Sequence, residues 1–146
     1  IVGDMLLSAK QNMKKHGGLA PVIMLFSENL SNMAVLDMDT SDHGKDMTEA
    51  FVRQYVSEHP EVEAVVVISE GYMASQSKDS KDTRTPSERD PSERKECISI
   101  FGASPFCSYG ILAPFEKRFK KYYYEDIVEM EGGICRYTEG LWKLDA

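Results

Sequence analysis

Ala64-Val65-Val66-Val67-Ile68-Ser69-Glu70-Gly71 is the stretch on which the fold turns. Three valines and an isoleucine run together there. β-Branched side chains are stiff at χ1 and pack well on a pleated surface, so the run predicts a strand from Glu63 to Ser69. It shows no polar–apolar alternation, which predicts a strand covered on both faces.

The composition then changes abruptly. From Ala74 to Glu96 the chain runs for 23 residues with a single apolar side chain, Ala74. The stretch holds the doubled motif Pro86-Ser87-Glu88-Arg89, Asp90, Pro91-Ser92-Glu93-Arg94. Six basic and six acidic residues leave it neutral, and its Pro, Ser, Glu, Lys and Asp content is typical of segments that stay solvated. A loop longer than about 12–15 residues is uncommon in a compact domain and is usually functional or disordered. A single domain over 1–146 with a long polar loop at 74–96 is expected.

Upstream, Val2, Met5, Leu6, Ala9 and Met13 recur at helical spacing and predict a helix over 2–15, with Gly17-Gly18 as its stop. Leu19 to Phe26 reads as a buried strand, with Pro21 at its beginning or at an edge-facing position. A turn at Ser27 to Asn32 and a strand from Met33 to Met38 complete a hairpin. After a polar turn from Asp39 to Lys45, a second helix is expected from Asp46 to Glu58. Asp42 or Asp46 would cap it, and Met47, Ala50, Phe51, Tyr55 and Val56 would form its apolar face. Pro60 forces the stop at His59.

Downstream, Cys97–Gly102, Cys107–Phe115, Lys117–Met130 and Ile134–Thr138 read as successive antiparallel strands, with Glu131-Gly132-Gly133 as a tight turn. The order α-β-β-α-β followed by a β meander is α+β, with the helices expected on one face of a mainly antiparallel sheet. Profilin-like and roadblock-like arrangements share that order, and order alone implies no function.

The chain has 146 residues, 42% of them hydrophobic, enough for one core without disulfides or metals. Its net charge of −7 disfavours nucleic acid and membrane surfaces as partners. Cys97, Cys107 and Cys135 are odd in number and widely spaced, which suits reduced thiols in a cytoplasmic setting. Ile1-Val2-Gly3-Asp4 has neither the basic head nor the apolar run of a signal peptide, and no stretch reaches the ~20 apolar residues of a membrane span.

Four constellations carry candidate chemistry. Asp37-Met38-Asp39-Thr40-Ser41, after an apolar strand, resembles the nucleophile motif of haloacid dehalogenase-type phosphatases, in which one carboxylate attacks phosphorus, the other moves a proton and both hold Mg²⁺. The match stops there: the fifth position is Ser41 rather than Thr or Val, and no later acidic pair follows a third apolar strand. Asp at a strand–helix junction also serves as an ordinary turn and cap.

Asp37, Asp39, Asp42 and His43 form a candidate divalent-cation site, although Asp42 stands where a calcium loop needs Gly and Thr48 where it needs Glu. Beyond such a cation no cofactor is expected. Ser69 and Glu70 at a strand end, with Arg89 and Arg94 of the loop, form a candidate site for a small anion.

Lys117-Arg118-Phe119-Lys120-Lys121-Tyr122-Tyr123-Tyr124 mixes cations with aromatics, as single-strand nucleic-acid binders do, but strand alternation would split it between two faces. No H-E-x-x-H or H-x-H spacing occurs, so zinc hydrolase signatures are absent from the sequence.

Gly18-Leu19-Ala20-Pro21 before a strand, Ser69-Glu70-Gly71-Tyr72 at a strand end and the Pro-Ser-Glu-Arg loop resemble a family of small uncharacterised prokaryotic proteins. The resemblance covers roughly residues 5–100 and implies no activity, cofactor or catalytic residue. The sequence thus predicts a soluble, intracellular binding or assembly module, self-associating or bound to a protein partner. The alternative is a metal-dependent hydrolase using Asp37 and Asp39, or a site at Ser69 and Glu70.

Overall fold

A computed structural model of the chain describes residues 2–19, 21–29, 32–37, 41–73, 94–119, 121–132 and 136–142. The described elements are α1 (Val2–His16), β1 (Val22–Ser27), β2 (Asn32–Asp37), α2 (Asp42–Glu58), β3 (Val62–Met73), β4 (Lys95–Ala103), β5 (Ser108–Arg118), β6 (Lys121–Tyr124) and β7 (Val128–Glu131). The order is the expected α-β-β-α-β and meander, and the class is α+β. No described helix is long and apolar enough to cross a membrane.

All strand pairings are antiparallel, in the order β2-β1-β3-β4-β5-β6, with β7 also against β5. Because β2 and β3 both run antiparallel to β1, they are parallel to each other. A tight turn cannot join parallel strands, so α2 crosses between them over one face.

The two helices lie on opposite faces of the sheet, whereas the sequence pattern placed them on one. Leu6, Ala9 and Met13 of α1 pack on Val66, Ile68, Ile98, Ile100, Ala113 and Phe115. Val52 and Val56 of α2 pack on Ile23, Leu25, Val65 and Val67. The reason lies in the opening stretch: consecutive apolar residues of β3 point to alternate faces, and each face needs its own cover. Each large side chain so buried contributes about 1.5–3 kcal/mol.

Helix α2 starts earlier and is rotated from expectation. Ser41 is its N-cap, its hydroxyl accepting from Gly44 N at 3.0 Å, in place of Asp42 or Asp46. Thr48, Val52 and Val56 face the sheet, while Met47 and Phe51 are 60% and 48% exposed. The inward line of small and β-branched residues fits close against a sheet. Thr48 joins it because its hydroxyl donates to Gly44 O at 2.8 Å.

β3 runs on through Met73, and β4 begins at Lys95, so the polar loop is shorter than 74–96. Residues 74–93 lie outside the described residues. Of the strand expected over Lys117–Met130, Lys117 and Arg118 instead end β5, and the rest is broken into β6 and β7. Between them the register against β5 slips by one residue opposite Pro114, which has no N–H to give the ladder. Residues 136–138 of the last expected strand lie in a run of turns over 136–140 instead.

Those turns are latched to α2. Arg136 donates to Asp46 Oδ1 at 2.6 Å and to Glu49 Oε2 at 2.7 Å. The Arg136 hydrogen bond, opposed by partial burial and helped by Arg53, holds the Glu49 carboxyl below its usual value. A depressed carboxylate contributes stability above its unfolded pKa, about 4.3, and that contribution is lost as pH falls through the lower folded value. Arg136→Gln is expected to lower Tm at pH 7 by roughly 1–3 °C, because the pair is partly exposed and screened. The gap should close on acidification below about pH 4, as read by melting curves of both proteins across pH. A gap that persists in acid would show that the latch is not electrostatic.

Gly110 meets Phe101 directly across the β4–β5 ladder. A Cβ there would stand 2.7 Å from Phe101 Cε1. Gly110→Ala is therefore expected to displace the ring and cost about 1–3 kcal/mol in urea unfolding. An unchanged midpoint would mean that the ring does not cover this glycine.

Candidate functional site

Ser69 and Glu70 are successive residues of one strand and point to opposite faces, so they do not serve one site. Ser69 Oγ lies 2.9 Å from Ser99 Oγ across the β3–β4 ladder, on the α2 face. Glu70 is on the α1 face, where its Oε2 accepts from Leu19 N at 3.4 Å and so ties the α1–β1 connection to the end of β3.

Arg94 comes to the same end. Its guanidinium lies 4.0 Å from the Tyr72 ring centroid, two residues beyond Glu70. Glu70, Gly71, Tyr72 and Glu96 line a hollow of about 200 Å³ there. The structure thus brings Glu70 and Arg94 to one strand end and leaves Ser69 on the other side. Arg89 lies outside the described residues.

Asp39 also lies outside them, as do the side chains of Asp37 and Asp42. His43 is exposed in the first turn of α2, inside the helix rather than in a turn before it. Among the described residues no three His, Cys, Asp or Glu side chains are grouped to hold a metal ion.

The described thiols stand apart from the described histidines. Cys97 is buried on the sheet, and desolvation pushes its thiol up to about 11, the opposite of what a nucleophile needs. Cys107 sits in the β4–β5 turn beside Ser104, 3.7 Å away. His16 ends α1, and His59 stacks on Tyr55 with ring centroids 3.9 Å apart. The basic–aromatic run is split as strand alternation requires: Tyr122 and Tyr124 pack on Phe115, while Tyr123 stays exposed.

Two further surface features carry no sequence motif. The first is a groove of about 490 Å³ beside α1, on the side facing β1. Asp4, Ser8, Asn12 and His16 run along its helical wall at every fourth residue. Its floor is apolar, formed in part by Val22, Met24 and Ile68. The i, i+4 repeat of polar residues beside the apolar stripe was its sequence signal.

The second is the β2 edge. Met33 and Val35 are 48% and 54% exposed and lie on the α1 face, opposite Phe26 and Met24 of β1. Met47 and Phe51, also exposed, lie on the flank of α2 opposite the Arg136 latch at Asp46 and Glu49. The signal was an edge-length strand with no basic residue and no proline, Asn-Met-Ala-Val-Leu-Asp.

No family model, no curated protein and no solved structure matches the chain. The resemblance to a prokaryotic family gains nothing from these comparisons.

Proposed function

We propose that this chain is a non-catalytic assembly module that pairs with a second copy of itself through the outer edge of β2. The observation that carries this is the contrast between the two ends of the sheet. An edge strand presents backbone N–H and C=O groups that template another strand, and proteins blunt such edges with charges, prolines and bulges.

The β6–β7 edge is blunted in this way. It carries Lys121, Glu125, Asp126, Glu129 and Glu131 and a bulge between its two halves, and its exposed Ile127 and Val128 stand between Asp126 and Glu129. The β2 edge has one charge, Asp37, at its end. No strand lies beyond it among the described residues. Exposed apolar residues Met33 and Val35 lie on its α1 face.

A two-fold axis perpendicular to the sheet sets two β2 strands antiparallel and keeps like faces together. The surface is then self-complementary, and the contact closes at two copies. Sedimentation of the purified chain over a wide range of concentration tests this. The expected species has twice the chain mass of 16.5 kDa. A monomer at every concentration would overturn the proposal.

A further inference from the structure

The β5–β6 hairpin turns between Arg118 and Lys121, which pair across it, so Phe119 opens a two-residue loop. Loops of that length favour left-handed backbone, and Asn or Gly is the ordinary occupant. Phe119 holds φ at +48° there, and its side chain is 100% exposed. A bulky residue in that region is strained, and a bare phenyl group is unfavourable in water. A side chain wholly in solvent returns nothing to the fold for either cost. Strain of this kind at an exposed tip points to a use outside the fold.

We infer that the hairpin tip docks the chain on an anionic lipid surface, the Phe119 ring entering the headgroup layer and the cations around it meeting lipid phosphates. Charge supplies the first argument. The net charge of −7 disfavours such a surface for the chain as a whole, but this corner of the sheet has the opposite balance. Lys117, Arg118 and Lys121 are exposed around the tip. Glu116 is matched by Arg118 at 2.8 Å and Glu125 by Lys95 at 2.7 Å, which leaves Lys117 and Lys121 in excess. Helix α1 runs toward the same end of the sheet, where Leu19 N meets Glu70 of β3. Its Lys10 ammonium lies 4.4 Å from the Tyr124 ring centroid, and Lys14 follows one turn nearer the tip. On that face they outnumber Glu96 of β4.

Shape supplies the second argument. An apolar tip ringed by cations matches a layer that is anionic outside and apolar beneath. Lysine stems lie along apolar surface while their ammonium groups stay in the wet layer. Single-stranded nucleic acid instead stacks on successive aromatic platforms. Here Tyr122 and Tyr124 pack on Phe115, and the Arg118 guanidinium lies 5.7 Å from the Tyr123 ring centroid. Phe106 supplies a contrast: it is 90% exposed in the β4–β5 turn, at the opposite end of the sheet, in the cation-free stretch Ser104-Pro105-Phe106-Cys107-Ser108.

β6 lies at the other end of the sheet from β2, so the tip does not depend on β2 pairing, which sedimentation of the chain alone tests separately. The probe is vesicles of phosphatidylcholine mixed with phosphatidylserine, against vesicles of phosphatidylcholine alone, read by flotation with the full chain. Binding is expected to be at least tenfold tighter on the anionic vesicles and to weaken as salt rises.

Phe119→Asn suits the left-handed turn, so it should keep or raise the melting temperature while weakening vesicle binding at least fivefold. Lys117→Glu together with Lys121→Glu should weaken binding at least tenfold. Phe106→Ser should leave it unchanged. Phe119→Trp should gain a blue-shifted emission on anionic vesicles. No binding, or equal binding to both kinds of vesicle, would overturn the proposal. Undiminished binding by Phe119→Asn, an equal loss in Phe106→Ser, or capture of a single-stranded oligonucleotide with none of the vesicles would overturn it as well.

Discussion

Val35→Lys is expected to convert the chain from a dimer to a monomer, weakening self-association at least a hundredfold, or about 2.7 kcal/mol. Val35 is exposed in the middle of β2, so lysine there costs the isolated fold little. In the pair it acts twice, because a two-fold axis brings both copies of each substitution to one interface. Two ammonium groups then meet across a sheet edge where two apolar side chains had been. Lysine on an edge strand is a device that natural proteins use to prevent this kind of pairing. Sedimentation gives the mass, and circular dichroism shows whether the fold is kept. A folded Val35→Lys that remains a dimer would move the interface away from β2.

Ile98→Ala is expected to destabilise the fold by 2–5 kcal/mol, a large part of a typical total of about 5–15. Ile98 is fully buried on the α1 face of β4, in the cluster with Met13, Ile100 and Ala113. A strand in mid-sheet is held by ladders on both sides and cannot collapse into the space the substitution opens. The loss should appear as a lower urea midpoint with an unchanged slope.

Phe51→Ala is the informative contrast. A buried Phe truncated to Ala costs about 3–5 kcal/mol. Phe51 is 48% exposed and touches Tyr55 with ring centroids 5.9 Å apart, so roughly 1 kcal/mol is expected. A cost as large as that of Ile98→Ala would mean that α2 is turned the other way.

These two positions also show what was legible in the sequence. Val65 to Ile68 announced a strand covered on both faces, and the order of elements as far as β5 followed from punctuation by Gly17-Gly18, Pro60 and the polar stretch after Met73. Hydropathy favoured the large side chains of α2 as its buried face. Burial instead selected the line through Thr48, Val52 and Val56, whose bulk suits a close approach to the sheet. A linear order does not say on which side a crossover passes, so the face that each helix covers is not legible in it.

Site legibility was poorer. Ser69 and Glu70 are neighbours in sequence and on opposite faces in space. The period-four polar wall of α1 and the undefended β2 edge carry no motif. Each becomes visible only once strand order shows which strands are outermost and how far α1 reaches.

Amide hydrogen exchange of β2 at high and low protein concentration tests the central claim most directly. Pairing through the edge predicts that Asn32–Asp37 amides gain protection as concentration rises, that the gain vanishes in Val35→Lys, and that β6 and β7 exchange alike throughout. Concentration-independent exchange in β2, or a gain confined to β6 and β7, would contradict the account.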